Sequence, residues 1–227
     1  MKGEPVQPGE LDYRLFIYNK EAPATWVADG PPNVEGTFTI ERTVNGLRAT
    51  THDEDELLTY RIGTSMLRPE PDSRLRLDDV LDGSDLTGFA ADAERDRLFL
   101  GTDAGIVCVY LRRGELTVDR TFGDNGYLRF IEYRGRKSGR PVYFNGNVYV
   151  GIGGGEGNNP LILVLDGLNG NVLSTMSLEA YYGEHEAPPA VTVTGRGILC
   201  AHPDEDRVVM IAHYGEVLWI NDAGDRA

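Results

Sequence analysis

The side chains of this chain best suited to chemistry are four histidines, two cysteines and the carboxylates crowded into its turns. His52 opens the run His52-Asp53-Glu54-Asp55-Glu56, and His202 precedes Pro203-Asp204-Glu205-Asp206. Asp103 stands in a third turn of the same kind. Imidazole and carboxylate are zinc ligands, but zinc wants ~3–4 protein donors on one point. Calcium wants ~6–8 oxygens, and its D-x-[DN]-x-[DN]-G loop is absent. The acidic turns therefore read as solvated loops, and no metal site is expected. His185 lies between Glu184 and Glu186. His213 stands outside these acidic runs. Cys108 and Cys200 each sit inside an apolar run, the setting of a buried reduced thiol. There is no G-x-S-x-G elbow and no H-E-x-x-H pair. No catalytic residue and no cofactor are assigned.

Three other stretches could bind something. The run Gly151-Ile-Gly153-Gly154-Gly155-Glu-Gly157 looks like a phosphate loop, but it lacks the G-x-G-x-x-G spacing. It also links two strands, whereas a phosphate cradle needs a helix N-terminus behind it. It reads as a lengthened hairpin turn. The basic stretch from Arg129 to Arg140 interrupts an otherwise acidic chain. Its Arg134, Arg136, Lys137 and Arg140 are the candidate partner-binding residues, suited to an acidic protein or to another copy of this chain. Tyr181 and Tyr182 are adjacent aromatics of the kind that stack on sugars.

The positioning elements follow from a repeat of about fifty residues, a period typical of propeller blades. An apolar run ending in a small residue recurs at Leu47–Thr50, Leu98–Gly101, Val148–Gly151 and Ile198–Ala201. A polar turn and a second apolar run follow each time, and then a glycine (Gly63, Gly114, Gly170, Gly215) opens a third run. No window sustains helical spacing, and Leu178–Tyr182 would make one helical turn at most. The second copy reads as strands at Leu86–Asp92, Arg97–Thr102, Ile106–Leu111 and Glu115–Phe122. The third opens with a strand at Leu128–Tyr133 or at Pro141–Phe144. The fourth runs Ala190–Thr194, Gly197–Ala201, Arg207–His213 and Glu216–Ile220, and the first begins near Gly36–Thr43. The small-residue column (Thr50, Gly101, Gly151, Ala201) lets neighbouring sheets approach near the axis. Tyr13–Tyr18 and Thr25–Ala28 read as two further strands.

The expected fold is thus all-β, a small β-propeller of four complete blades plus an N-terminal strand pair that forms a degenerate fifth blade. That pair could instead lie across the ring or pair with another subunit. The propeller is expected over residues 11–222 as a single domain, with a flexible arm at 1–10 and a tail at 223–227. At 227 residues and 41% apolar composition the chain can bury a core. Its net charge of −14 opposes non-specific binding to nucleic acid or anionic membrane. No run approaches the ~20 apolar residues of a membrane span, and the N-terminus lacks a secretory signal's apolar core. A soluble location, cytoplasmic or within a multiprotein or virion particle, is expected.

The repeats resemble those of the quinoprotein-like β-propellers. Asn147-Val-Tyr-Val-Gly151 followed by Leu163-Val-Leu-Asp166-Gly-Leu-Asn-Gly170-Asn-Val-Leu is similar to their strand, Gly, strand, Asp-x-x-x-Gly, strand pattern. The same stretch is similar to a kelch repeat, although the other copies lack the double glycine. Thr121-Phe-Gly-Asp-Asn-Gly126-Tyr resembles a loop common in such propellers. The resemblance covers roughly residues 36–222 and implies the fold. Quinone-cofactor enzymes of that class use eight blades and adjacent cysteines, which this chain lacks, so cofactor binding is not implied. The function expected is a non-enzymatic interaction or structural module, with other protein subunits as partners. The alternatives are a metal-dependent lactonase- or lyase-type enzyme and a carbohydrate-binding propeller.

Overall fold

A computed structural model describes residues 14–17, 24–27, 39–43, 46–53, 56–62, 73–81, 83–92, 94–112, 115–133, 135–154, 158–183, 185–202 and 207–222. The chain divides into two compact units, one of residues 1–77 with 113–116 and one of residues 78–112 with 117–227. The expected arm and tail lie outside the described residues.

The first unit contains a hairpin of β1 (Arg14–Ile17) and β2 (Ala24–Val27), close to the two strands expected there. It also contains a four-stranded antiparallel sheet: β3 (Thr39–Thr43), β4 (Gly46–Asp53), β5 (Glu56–Ile62) and β6 (Ser73–Arg76), paired in chain order. Thr50 and Leu57 are fully buried in it.

The second unit opens with a single helical turn, α1 (Asp78–Leu81), which buries Val80 and Leu81. Its two leading aspartates face the positive end of the helix dipole. Three sheets follow. The first is the meander β7 (Leu86–Asp92), β8 (Arg97–Thr102), β9 (Gly105–Arg112) and β10 (Glu115–Val118), of which Glu115 and Leu116 are counted with the first unit. A short strand, β11 (Tyr127–Arg129), pairs with the start of β9. The next sheet is β12 (Val142–Phe144), β13 (Asn147–Ile152), β14 (Leu161–Asp166) and β15 (Val172–Ser177). The last is β16 (Ala190–Thr194), β17 (Gly197–Ala201), β18 (Arg207–Ile211) and β19 (Val217–Asp222).

One alternative is decided and one boundary is corrected. The Leu128 segment does not open the third sheet but adds to the second, and Val142–Phe144 is the first strand of the third. The fourth strand of the second sheet ends at Val118, not Phe122. Asp119 stops it: its Oδ1 accepts hydrogen bonds from the Thr121 backbone N–H at 3.0 Å and the Thr121 hydroxyl at 2.6 Å. A side chain that captures its own backbone two residues on makes a turn.

Strand alternation builds the core. Val148, Val150 and Ile152 of β13 and Leu161, Leu163 and Leu165 of β14 join Phe99, Ile106 and Cys108 of the preceding sheet. The intervening Tyr149, Ile162 and Val164 join Ile198, Cys200, Val209 and Ile211 of the following sheet. The third sheet is therefore apolar on both faces, the period-two pattern of a layer covered from both sides. Its first strand packs against β7 on one side and β16 on the other.

The small-residue column has a steric cause here. A Cβ on Gly101 would lie 2.5 Å from Pro141 Cδ, and one on Gly151 would lie 2.1 Å from the Pro189 carbonyl oxygen. Each glycine thus receives the proline that precedes the next sheet's first strand.

One buried ion pair crosses this packing. Arg97 Nη2 lies 2.6 Å from Asp119 Oδ2, both side chains almost fully buried. Arg97 also donates to the Gly167 carbonyl at 2.7 Å, the Leu168 carbonyl at 3.0 Å and the Tyr110 hydroxyl at 2.9 Å. The pair fixes β8, the turn after β10 and the β14–β15 turn together.

Gly151→Ala should destabilise the fold by about 1–3 kcal/mol, the usual cost of overpacking a close contact. Gly195→Ala, where an added Cβ meets nothing within 4 Å, should leave thermal denaturation nearly unchanged. Equal melting temperatures for the two variants would refute the seating contact.

Candidate functional site

The connector between β15 and β16 brings two histidines together. It begins with a tight turn in which the Tyr181 and Tyr182 backbone N–H groups both donate to the Leu178 carbonyl at 2.9 Å. That is the single helical turn read from the sequence. Tyr182 is buried, and its hydroxyl donates to the Cys200 carbonyl at 2.8 Å. Arg207 Nη1 holds the Tyr181 carbonyl at 2.6 Å. The Gly154 N–H donates to the His185 carbonyl at 2.6 Å. So anchored, the His185 ring lies 4.7 Å from the ring of His202, centroid to centroid. His202 follows β17, is 3% exposed, tilts against Tyr182 at 5.3 Å and places Nε2 2.9 Å from the Ala187 carbonyl.

Two imidazoles at this separation can share an ion, a proton or a packing contact. A third ligand decides among these. Among the described residues no three His, Cys, Asp or Glu side chains converge. His213 is elsewhere, exposed and stacked on Phe144 at 5.8 Å, with Nε2 2.8 Å from the Thr194 carbonyl. Beside it a cleft of about 340 Å³ is lined by Ser174, Thr175, Met176, Tyr181, Ile211 and Tyr214, among others. The side chains of His52, Glu184 and the 203–206 turn lie outside the described residues. Asp103 is exposed and accepts from the Asp85 N–H at 3.2 Å. With Tyr182 buried and Tyr181 half-buried, this tyrosine pair offers no flat sugar-stacking platform.

The basic stretch is largely turned inward. Arg136 donates from Nε to the Gly153 carbonyl at 2.5 Å and from Nη2 to the Asn159 carbonyl at 2.6 Å, and its guanidinium lies over Tyr133. Burial lowers its pKa. Ser138 donates to the Thr102 carbonyl, and the Gly139 N–H donates to Gly151 at 2.8 Å. Arg140 Nε donates to the Phe89 carbonyl at 3.3 Å, although its side chain stays on the surface. Lys137 is exposed and pairs with Glu186 at 3.4 Å, both charges mostly in water. Arg134 lies outside the described residues. The glycine run serves the same suture. Gly153 and Gly154 are buried, and a Cβ on Gly153 would lie 2.0 Å from the Glu186 carbonyl oxygen. Gly155 and Gly157 lie outside the described residues.

A surface feature that sequence reading passed over is the last strand. Leu218, Trp219 and Ile220 of β19 are 46%, 43% and 46% exposed. The signal was present: an apolar run without alternation reads as a doubly covered strand, yet this one closes its sheet and is open on both faces.

Both cysteines are poorly placed for nucleophilic chemistry. Both are free and buried, and burial pushes the Cys108 thiol far up and the Cys200 thiol from 9.0 to about 12. The thiolate, the reactive form, is suppressed at both.

Consecutive four-stranded antiparallel meanders, joined first strand beside first strand in the second unit, define the class: an all-β chain of small β-propeller type. No family model matches the chain, and no curated protein matches it. Solved structures do. A protein of unknown function from Bacteroides caccae is similar at TM-score 0.51 and 16% identity, over 74% of this chain and 54% of that one. The glutaminyl cyclase of Myxococcus xanthus is similar at TM-score 0.47 and 13% identity, over 81% of this chain and 69% of that one. Apo AztD from Citrobacter koseri gives TM-score 0.36 and 9% identity, over 90% of this chain and 63% of that one. The chain thus spans between about half and two thirds of the lengths of these structures. Among the described residues no helix is long and apolar enough to cross a membrane.

Arg136→Ala should cost about 1–3 kcal/mol in urea denaturation, because two carbonyls lose their donor. Lys137→Ala should change little, as a surface pair does. Equal effects would show that the Arg136 contacts carry no stability. The Cys200 proton gives a second test. The folded chain keeps it up to about pH 12, whereas the unfolded chain releases it near 9.0. This contribution is complete below about pH 9 and falls as the pH rises from there. The urea midpoint should therefore drop between pH 8 and 10.5, and drop less in Cys200→Ala.

Proposed function

We propose that this chain is a non-enzymatic interaction module, a propeller subunit of a larger protein assembly. The observation that carries the reading is the exposed Leu218-Trp219-Ile220 run. Contiguous exposed apolar surface marks interaction sites, and tryptophan is the residue most enriched where binding energy concentrates. The partners are other protein subunits, and the blades are of the quinoprotein-like or kelch-like kind without their cofactor chemistry. Lys137 and Arg140, two exposed cations of the basic loop, form a secondary contact for an acidic partner.

The test is light scattering across a dilution series, followed by titration with candidate subunits. Association should occur, and Trp219→Ser should weaken it by roughly tenfold or more with an unchanged melting temperature. Failure to associate with itself or with any candidate overturns the reading.

A second reading, a metal-dependent lactonase- or lyase-type enzyme, is favoured by one observation, the 4.7 Å approach of His185 and His202. Elemental analysis of protein purified without chelator separates the two. One divalent ion per chain, lost in His185→Gln, would put the metal reading first.

A further inference from the structure

The outer edge of β19 has properties that the other outer strands of the second unit lack. β15 ends the third sheet with Val172 and Leu173 exposed, but continues Ser-Thr-Met-Ser, mostly polar and exposed. β10, at its second-unit end, exposes the polar Thr117. β19 alone among these three presents an unbroken apolar run at the end of its sheet. Its hydrogen-bonded neighbour among the described strands is β18. An end strand carries a row of backbone donors and acceptors on its far side, a template for one more strand. Trp219 and Ile220, successive exposed residues, lie on opposite faces, with Leu218 in the bulge between Val217 and Trp219, so an added strand finds apolar neighbours above and below.

The ends of the run are acidic. Glu216, exposed and accepting from the Tyr214 hydroxyl at 2.9 Å, immediately precedes the strand, and Asp222 is its last residue. Strand geometry separates them by ~20 Å.

A second copy fits this edge poorly. In an antiparallel pair about a two-fold axis, residues opposite each other point to the same face, so the axis must pass through a residue position. Centring near Trp219 brings the Glu216 end of one strand beside the Asp222 end of the other, acid beside acid. Parallel pairing lays acidic end beside acidic end. Among the described residues none of these pairings offers Glu216 a cation, and each chain brings a net charge of −14.

We infer that the outer edge of β19 docks an extended segment of a different protein, apolar at its centre and carrying lysine or arginine at its ends. The inference rests on the interaction-module reading and names that module's partner chemistry. The backbone ladder supplies affinity, Leu218, Trp219 and Ile220 select an apolar centre, and Glu216 selects basic ends.

The probes are two fluorescein-labelled peptides of alternating valine and threonine, one with a lysine at each end and one with a glutamate at each end. Anisotropy titrations use the full chain at low and high salt. The lysine-ended peptide should bind about tenfold tighter or better, with the advantage shrinking as salt rises. Trp219→Ser should weaken both peptides, and Glu216→Lys should cancel or invert the preference, each with an unchanged melting temperature. Equal binding of the two peptides, or binding indifferent to Trp219→Ser, overturns the inference. A doubling of solution mass that depends on Trp219, without peptide binding, assigns the edge to a second copy. That result overturns the inference but leaves the interaction-module reading standing. Absence of peptide binding together with absence of any partner association overturns both.

Discussion

The second unit depends on one buried ion pair. Arg97 and Asp119 are both withdrawn from water, which is costly for a charge unless it is paired, and among the described residues every polar atom of the pair except Arg97 Nε has a partner. Asp119 Oδ1 receives the Thr121 N–H and hydroxyl, while Oδ2 receives Arg97, with Cys108 Sγ at 3.8 Å. The Arg97 guanidinium reaches two carbonyls of the β14–β15 turn and lies over the Tyr110 ring. Such a pair adds less to net stability than its contacts suggest, but removing one partner would strand the other. Its role is to fix geometry. The turn that ends β10, the run of β8 and the corner of the following sheet hold one arrangement because this cluster has one.

That constraint explains which parts of the chain were legible as sequence. Strands β7, β8, β16 and β17 have the bounds that alternation and turn residues imply, because pattern and packing agree there. The β10 boundary was misread because its determinant is a side-chain hydrogen bond. Thr117–Phe122 looks like a strand until Asp119 is known to be buried beside Arg97. The place of β11 stays open in the sequence for a related reason: its apolar residues fit either sheet, and only the tight Phe122–Tyr127 turn directs it back onto β9.

The candidate sites were less legible. The basic loop stood out as charge against an acidic background, yet charge does not say what it touches. Arg136 is committed to main-chain carbonyls of the Gly153–Asn159 loop, contacts that no local spacing announces. His185 and His202 come from different parts of the fourth repeat and meet because Tyr182 pins the connector to β17. The β19 surface was readable in principle. An apolar strand at the end of a sheet has no second cover, yet nothing within the run itself marks its place in the strand order.

The seating of Pro141 on Gly101 and of Pro189 on Gly151 has a consequence for how such a chain is built. A rigid ring pressed against a residue without a side chain is a hard stop, and it sets the pitch from one sheet to the next by contact rather than by the length of the linker. The segment from Pro141 to the residue before Pro189 carries one whole sheet, the ring that seats on the sheet before it and the notch that receives the ring after it. The natural unit of construction therefore runs from proline to proline. Tandem duplication of that unit would supply both halves of the new joint at once, a route by which a repeat protein of this kind can lengthen without inventing an interface.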